Sequence, residues 1–281
     1  MNCAWDAYLS VLPHRYKEQM NCNFEANLQE IRLRLGQRPI LITSKDMIQL
    51  HGRVTQQDLR FCTNAASQYS PWSAKTIADG YITISGGHRI GVCGRAVVNQ
   101  GKMTGFSSVS SIVIRVARDF PGISGQLSDI KGSILILGSP GTGKTTLLRD
   151  LIRKKSESNL GNIAVVDERM ELFPCYQETS VFPSGPNTDI LSGCPKEQGI
   201  LTVLRSMTPT VIALDEITHS DDCEALLRAG WSGVDLLATA HAKNIEELYK
   251  RPVYKPLVET KLFETIVTLH QDKTWYLERI T

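Results

Sequence analysis

Polar and apolar positions alternate through much of the first 120 residues, whereas from about position 130 the apolar residues gather into short unbroken runs. Ala4, Tyr8, Val11 and Leu12, with Trp5, recur at helical spacing and predict a short helix within the first 20 residues. Ile31-Arg32-Leu33-Arg34-Leu35 alternates strictly, which predicts a half-buried strand with two arginines on its exposed face. A helical stretch near 56 to 70 follows. Tyr81 to Ser85 and Arg89 to Cys93 are alternating runs joined by Gly86-Gly87, the pattern of a hairpin, and Ile112 to Val116 adds a strand. This half reads as α+β with a largely antiparallel sheet.

Turn formers cluster at Pro121-Gly122-Ile123-Ser124-Gly125, so we expect an N-terminal domain over 1–125 and a second domain over 126–281. Ile134 to Leu137, Ile163 to Val166, Val211 to Leu214 and Leu236 to Thr239 are apolar runs, each followed by a helical segment. Uniformly apolar strands alternating with helices predict a mostly parallel sheet covered on both faces, an α/β architecture. Residues 172–199 hold Pro174, Pro183, Pro186 and Pro195 among glycines, and are expected to form a long loop that orders around a ligand or partner.

Composition narrows the classes without choosing among them. Hydrophobic residues make up 42% and charged residues 21% of the 281, as in ordinary globular proteins, so disorder and low complexity are excluded as the main theme. The formal charge of +2 makes no case for nucleic acid or a membrane surface as partner, but it conceals a division. Residues 1–130 carry 14 basic against 9 acidic side chains, and residues 131–281 carry 17 against 20. The seven cysteines are scattered without a C-x-x-C pair, which suggests reduced thiols in a cytoplasmic protein and neither a zinc site nor a disulfide framework. No apolar run approaches the ~18 residues of a membrane span, so direct insertion is not expected.

Chemistry enters at Gly138-Ser139-Pro140-Gly141-Thr142-Gly143-Lys144-Thr145, which fits G-x-x-x-x-G-K-[ST] between an apolar strand and the helical stretch opening at Thr146. Glycines let backbone N–H groups turn inward around phosphates, and the helix N-terminus adds a positive dipole. Lys144 reaches the β and γ phosphates, and Thr145 offers its hydroxyl to Mg²⁺, so ATP and Mg²⁺ are the expected ligands.

Val211 to Leu214 ends in Asp215-Glu216, where Asp215 can position the metal and Glu216 can polarise the attacking water. Ile163 to Val166 ends in Asp167-Glu168-Arg169, and the fourth strand ends in Ala238-Thr239-Ala240-His241. Parallel strands place these ends on one edge, where ligands bind. For Asp167 and Glu168 a catalytic role and a capping or surface role both stay open. His241 stands between a packed or surface histidine and a sensor of the γ-phosphate.

Together these motifs resemble the ring-forming ATPases of type II and type IV secretion and pilus retraction, with a phosphate loop, an acidic box, a Walker B strand and a His box. Glu216-Ile217-Thr218-His219-Ser220-Asp221-Asp222 departs from the Glu-Ile-Arg-Asp-x-Glu-Thr of those enzymes, so the role of the missing Arg and Asp does not transfer. A closer resemblance spans nearly the whole chain, to the stage III sporulation protein AA family of endospore-forming bacteria. It rests on Glu30 to Pro39, Tyr69-Ser70-Pro71, Asp79 to Thr83, Gly86 to Arg95, Val165 to Arg169, Thr188 to Leu191, Cys194-Pro195-Lys196 and Arg205-Ser206-Met207.

The resemblance implies a RecA-like P-loop ATPase domain in the mother-cell cytoplasm, working as a homo-oligomer, a hexamer, that energises a channel complex between mother cell and forespore. Its membrane attachment would come through the membrane proteins of that complex. It also implies an arginine from the N-terminal domain at the nucleotide, with Arg89, Arg95, Arg115 and Arg118 as candidates; the competing reading of each is a solvated strand face. The face around Arg32, Arg34 and Arg38 is a candidate docking surface, against the same reading. Two alternatives are a nucleotide-gated assembly platform with incidental hydrolysis, and a nucleic-acid motor or loader of the AAA+ class. Near-neutral charge and the 40 residues after His241, expected to be too few for a helical lid, speak against the second.

Overall fold

A computed structural model describes residues 3–20, 23–68, 80–158, 161–176 and 179–280. Of the resemblance strings, Tyr69 to Pro71 and Asp79 lie outside these residues. The chain forms two compact units, Met1–Asp119 with Pro174–Val181, and Phe120–Phe173 with Phe182–Thr281.

In the first unit, the expected opening helix is two helices, Trp5–Ser10 and His14–Lys17, because Pro13 lacks the N–H that would continue the ladder. Tyr8 and Tyr16 from these turns are fully buried, and the Tyr8 hydroxyl donates to the Ile114 carbonyl at 3.2 Å. A short helix, Asn23–Asn27, leads into strand β1 (Leu28–Arg34), then β2 (Ile40–Thr43) and β3 (Met47–Gln49). β4 (Tyr81–Thr83), β5 (Arg89–Asn99) and β6 (Lys102–Arg115) complete a sheet in the order β3-β2-β1-β6-β5-β4, antiparallel throughout.

Ile31 and Leu33 enter the core and Arg34 faces solvent, as alternation predicts, whereas Leu35, expected in the same strand, lies past its end and is exposed; a register shift between Leu28 and Glu30 brings Leu28 into the core as well. The helix Gln56–Gln68 covers the sheet with Leu59 and Cys62. Its start is fixed by Asp58, whose carboxylate accepts the Thr55 N–H at 2.7 Å.

The hairpin β5–β6 extends well beyond the expected runs and turns at Gln100 and Gly101, both with φ positive, as a tight hairpin turn requires. On its outer half β5 is exposed from Cys93 to Asn99, while β6 buries only Gly105 and half-buries Met103 and Phe106, so little burial pattern marks it in the sequence.

In the second unit, β7 (Ile134–Leu137) and β8 (Ile163–Asp167) are buried along their whole length. Next come β9 (Cys175–Tyr176) and β10 (Thr179–Ser180), an antiparallel ribbon in the segment grouped with the first unit. β11 (Thr188–Ser192), β12 (Val211–Leu214), β13 (Asp235–Ala240), β14 (Thr265–Leu269) and β15 (Trp275–Arg279) follow. The sheet runs β11-β8-β12-β13-β7-β14-β15, parallel except for β15. Helices Lys144–Glu157, Lys196–Ser206, Ser220–Trp231, Ile245–Lys250 and Lys255–Glu259 accompany it.

Two expectations need correction. Residues 172–199 are not one long loop: β11 pairs with β8 from Thr188↔Ile163 to Ser192↔Asp167, and Pro195 caps the helix that follows. Pairing with a strand distant in sequence supplies the order that local composition lacks, and a proline at a helix start forfeits no hydrogen bond. The second is the hairpin β14–β15, which extends the sheet past β7 and lies beyond the four strands expected. Among the described residues, no helix is long and apolar enough to cross a membrane.

Candidate functional site

The loop between β7 and the helix Lys144–Glu157 owes its shape to its glycines. Gly141 and Gly143 have φ of 77° and 105°, conformations that side chains with a Cβ resist. A Cβ on Gly138 would stand 2.6 Å from the Thr142 Oγ1 and 2.9 Å from the Leu269 carbonyl oxygen. Ser139 and Pro140 form the outer rim, and Thr146 sits half-buried in the first helical turn.

Lys144 is buried, and its ammonium donates to the carbonyls of Gly138 at 2.9 Å and Ser139 at 3.2 Å. Burial lowers its pKa, against which the charges of Asp215 and Glu216 act. The Thr145 hydroxyl donates to Asp215 Oδ2 at 2.6 Å, and the Thr239 hydroxyl to Asp215 Oδ1 at 2.6 Å. Thr239 Oγ1 also accepts the Glu216 N–H at 2.8 Å, so one hydroxyl on β13 holds both acids at the end of β12. Glu216 has φ of +55°, a left-handed geometry uncommon outside glycine, and this turns its side chain at the strand end.

His241 joins the two halves of the site. Its Nδ1 lies 3.0 Å from Lys144 Nζ and its Nε2 lies 3.2 Å from Glu216 Oε1. An ammonium can only donate, so Nδ1 is the acceptor and Nε2 carries the proton toward the carboxylate. The other Glu216 oxygen faces Arg169 Nη1 at 3.6 Å.

The acidic pair at the end of β8 shares a cleft with Asp215, Glu216, Arg169 and Lys196. Asp167 is buried, and its carboxylate accepts the N–H groups of Glu171 at 2.9 Å and Phe173 at 2.8 Å, bracing the turn after β8. Burial pushes its pKa up to about 6 despite those donors. Glu168 pairs with Lys196 Nζ at 2.7 Å.

The N-terminal arginines belong to the first unit, where Arg89, Arg115 and Arg118 have partners of their own and Arg95 stands exposed on β5. The Arg89 guanidinium lies 3.8 Å over the Tyr81 ring, Arg115 Nε lies 3.5 Å from Glu30, and Arg118 donates to the Glu25 carbonyl at 2.6 Å.

Sequence reasoning missed four contributors. Thr239 left a faint signal, a hydroxyl inside an otherwise apolar buried strand. Arg169 and Lys196 stand in strings the family resemblance rests on but received no role, and Lys273 left no signal; it donates from the β14–β15 turn to the carbonyls of Gly141 and Thr142, both at 2.9 Å.

Residues 9–276 match the family described as sporulation stage III, protein AA. The chain belongs to that family. It is 35% identical over 256 residues to the stage III sporulation protein AA of Bacillus subtilis, a match covering 88% of this chain and 83% of the relative. Among solved structures, the DotB ATPase of Legionella pneumophila aligns with a TM-score of 0.57 at 16% identity, covering 95% of this chain and 81% of its own. The pilus retraction motor PilT, crystallised with ADP, aligns with a TM-score of 0.57 at 16% identity, over 86% of this chain and 74% of PilT. The chain thus has the fold of RecA-like ATPases, with an antiparallel N-terminal sheet and a mostly parallel C-terminal one.

Proposed function

We propose that this protein is a magnesium-dependent ATPase that hydrolyses ATP at the Gly138–Thr145 loop, assembles as a hexamer and energises a sporulation channel complex from the mother-cell cytoplasm. The observation that carries the reading is the convergence of Lys144, Thr145, Asp215 and Glu216, from the ends of β7 and β12, around His241 and Thr239 at the end of β13. Backbone N–H groups of the loop and the Lys144 ammonium would hold the phosphates. Glu216 would accept the proton of the attacking water, and His241, touching both Lys144 and Glu216, would couple phosphate occupancy to the base.

Thr145 and Asp215 would hold Mg²⁺. A hydroxyl and a carboxylate in contact suit a cation that keeps its waters and shares phosphate oxygens, whereas no group of three or more His, Cys, Asp or Glu able to hold a metal occurs among the described residues. Bound there, Mg²⁺ would neutralise charge on the phosphates. Arg89, Arg95 or Arg115 would brace the γ-phosphate, and membrane proteins of the channel complex would anchor the ring.

Purified protein at concentrations that permit assembly should hydrolyse ATP, and Glu216→Gln should lower turnover ~10²- to 10⁴-fold with affinity retained. ATP binding without hydrolysis, unchanged by Glu216→Gln, would overturn the enzyme reading and leave the assembly platform. Mass measurement with a non-hydrolysable analogue tests the hexamer.

A further inference from the structure

The first unit contains a basic cleft that the nucleotide site does not use. It measures about 340 Å³ and is lined by Arg34, Gln37, Arg38, Ile40, Gln49 and Arg53. Its walls are tied by backbone bonds: Gly36 N–H donates to the Val54 carbonyl, Val54 N–H to the Gln37 carbonyl, each at 2.8 Å, and Leu50 N–H to the Pro39 carbonyl at 2.9 Å. Arg53 Nη1 donates to the Gly36 carbonyl at 2.8 Å, which fixes the third guanidinium beside the turn that carries the other two.

Three arginines of this unit have carboxylate partners, Arg15 with Asp58 and Arg32 and Arg115 with Glu30. Arg34, Arg38 and Arg53 have none among the described residues, and no acidic side chain lines the cleft. Three guanidiniums with two glutamine amides form a site for carboxylate or phosphate oxygens.

The surroundings decide which anion fits. Gln49 belongs to β3, the last strand of its sheet, and among the described residues nothing pairs with the outer edge of β3. On that strand Met47 is 69% and Ile48 36% exposed, and Leu35, beside Arg34, is 45% exposed. Met47 and Gln49 lie two residues apart and so share the cleft's face of the strand. A free phosphate would use neither the strand edge nor the apolar side chains, and a lipid surface would not use the edge. An added strand uses all three: backbone hydrogen bonds to the edge, carboxylates on the arginines of the cleft's face, and apolar side chains beside Ile48 on the opposite face.

We propose that this cleft and the outer edge of β3 dock an extended segment of a partner protein in which carboxylates alternate with apolar residues. The edge is only the three residues Met47–Gln49, so the arginines carry most of the specificity.

The test uses the full chain and short fluorescein-labelled peptides, one alternating glutamate with valine and one alternating glutamate with glycine, alongside vesicles of phosphatidylcholine and phosphatidylglycerol. The glutamate–valine peptide should bind and protect the amides of Met47–Gln49 from exchange. Arg34→Gln and Arg38→Gln should each weaken it by about 5- to 10-fold, and Gln49→Glu, which places a carboxylate in the cleft, comparably. Arg60→Gln, an exposed arginine outside the cleft, should leave binding unchanged. All these sites are exposed, and unaltered thermal unfolding shows that the variants fold. Equal binding of the glutamate–glycine peptide, binding insensitive to Arg34 and Arg38, or binding without protection of β3 would overturn the proposal. So would arginine-dependent binding of the vesicles in place of the peptide.

Discussion

The Thr145 hydroxyl donates to the Asp215 carboxylate at 2.6 Å, joining the first turn of the helix after the phosphate loop to the end of β12. The two residues assigned to one metal ion are thus in contact although far apart in sequence. Asp215→Asn removes the charge and keeps the shape. It should weaken magnesium-dependent binding of a non-hydrolysable ATP analogue by roughly 10-fold or more, the cost of losing a hydrogen bond to a charged group. Affinity measured in EDTA should barely differ from that of the parent protein. Calorimetric titration with and without Mg²⁺ checks both arms.

Lys273 tests the part of the loop that sequence did not disclose. Its ammonium holds the carbonyls of Gly141 and Thr142, whereas Lys144 holds those of Gly138 and Ser139. Lys273→Ala should loosen the loop and weaken ATP binding by about 3- to 5-fold, a modest effect because the side chain is exposed. Lys273→Arg should restore part of it. An affinity unchanged by Lys273→Ala would show that the loop keeps its shape without this brace.

His88 should make the first unit sensitive to acid. Burial lowers its imidazole pKa from 6.5 to about 4, with Arg118 acting in the same direction. Nδ1 accepts the Ala117 N–H at 3.0 Å and the Nε2 proton is donated to the Ala4 carbonyl at 2.8 Å, so the folded site holds the neutral ring. Below pH 6.5 the unfolded chain takes up a proton that the folded chain refuses until about pH 4. The contribution is therefore complete above 6.5 and declines as pH falls toward 4. Melting temperatures across this window should fall on acidification, and His88→Gln, though less stable throughout, should show a shallower slope.

At Gly199 the helix Lys196–Ser206 packs tightly on β8. A Cβ there would stand 2.4 Å from Val166 Cγ1 and 3.0 Å from Cys194 Sγ. Gly199→Ala should cost about 1–3 kcal/mol through overpacking, in spite of the better helix propensity of alanine. Denaturant unfolding measures it. Because Val166 precedes Asp167, ATP turnover should fall as well.

The buried strands were legible because each is a run of branched apolar residues long enough to cross a layer and no longer. The glycine-rich loop Gly138–Thr145 was legible because its glycines serve local geometry, Gly141 and Gly143 taking positive φ. Residues 172–199 were not: the order of β11 comes from its pairing with β8, and nothing in Thr188 to Ser192 announces a partner. The outer half of β5–β6 was missed for a related reason, since its β5 strand is exposed from Cys93 to Asn99 and so writes no alternation of apolar and polar positions.

What the sequence determined by itself is therefore the chemistry within short reach along the chain: the glycines that bend the loop, the hydroxyl and ammonium that follow, the acids that end apolar strands. Tertiary structure decided which of these groups meet. Parallel stacking of β7, β12 and β13 brings His241 between Lys144 and Glu216 and places Thr239 under both acids of β12. The hairpin β14–β15 carries Lys273 to the phosphate loop, and the turn before β2 sets Arg34 and Arg38 beside Arg53. Hydrogen bonds and ion pairs act over a few ångströms in space, and distance along the chain does not record them.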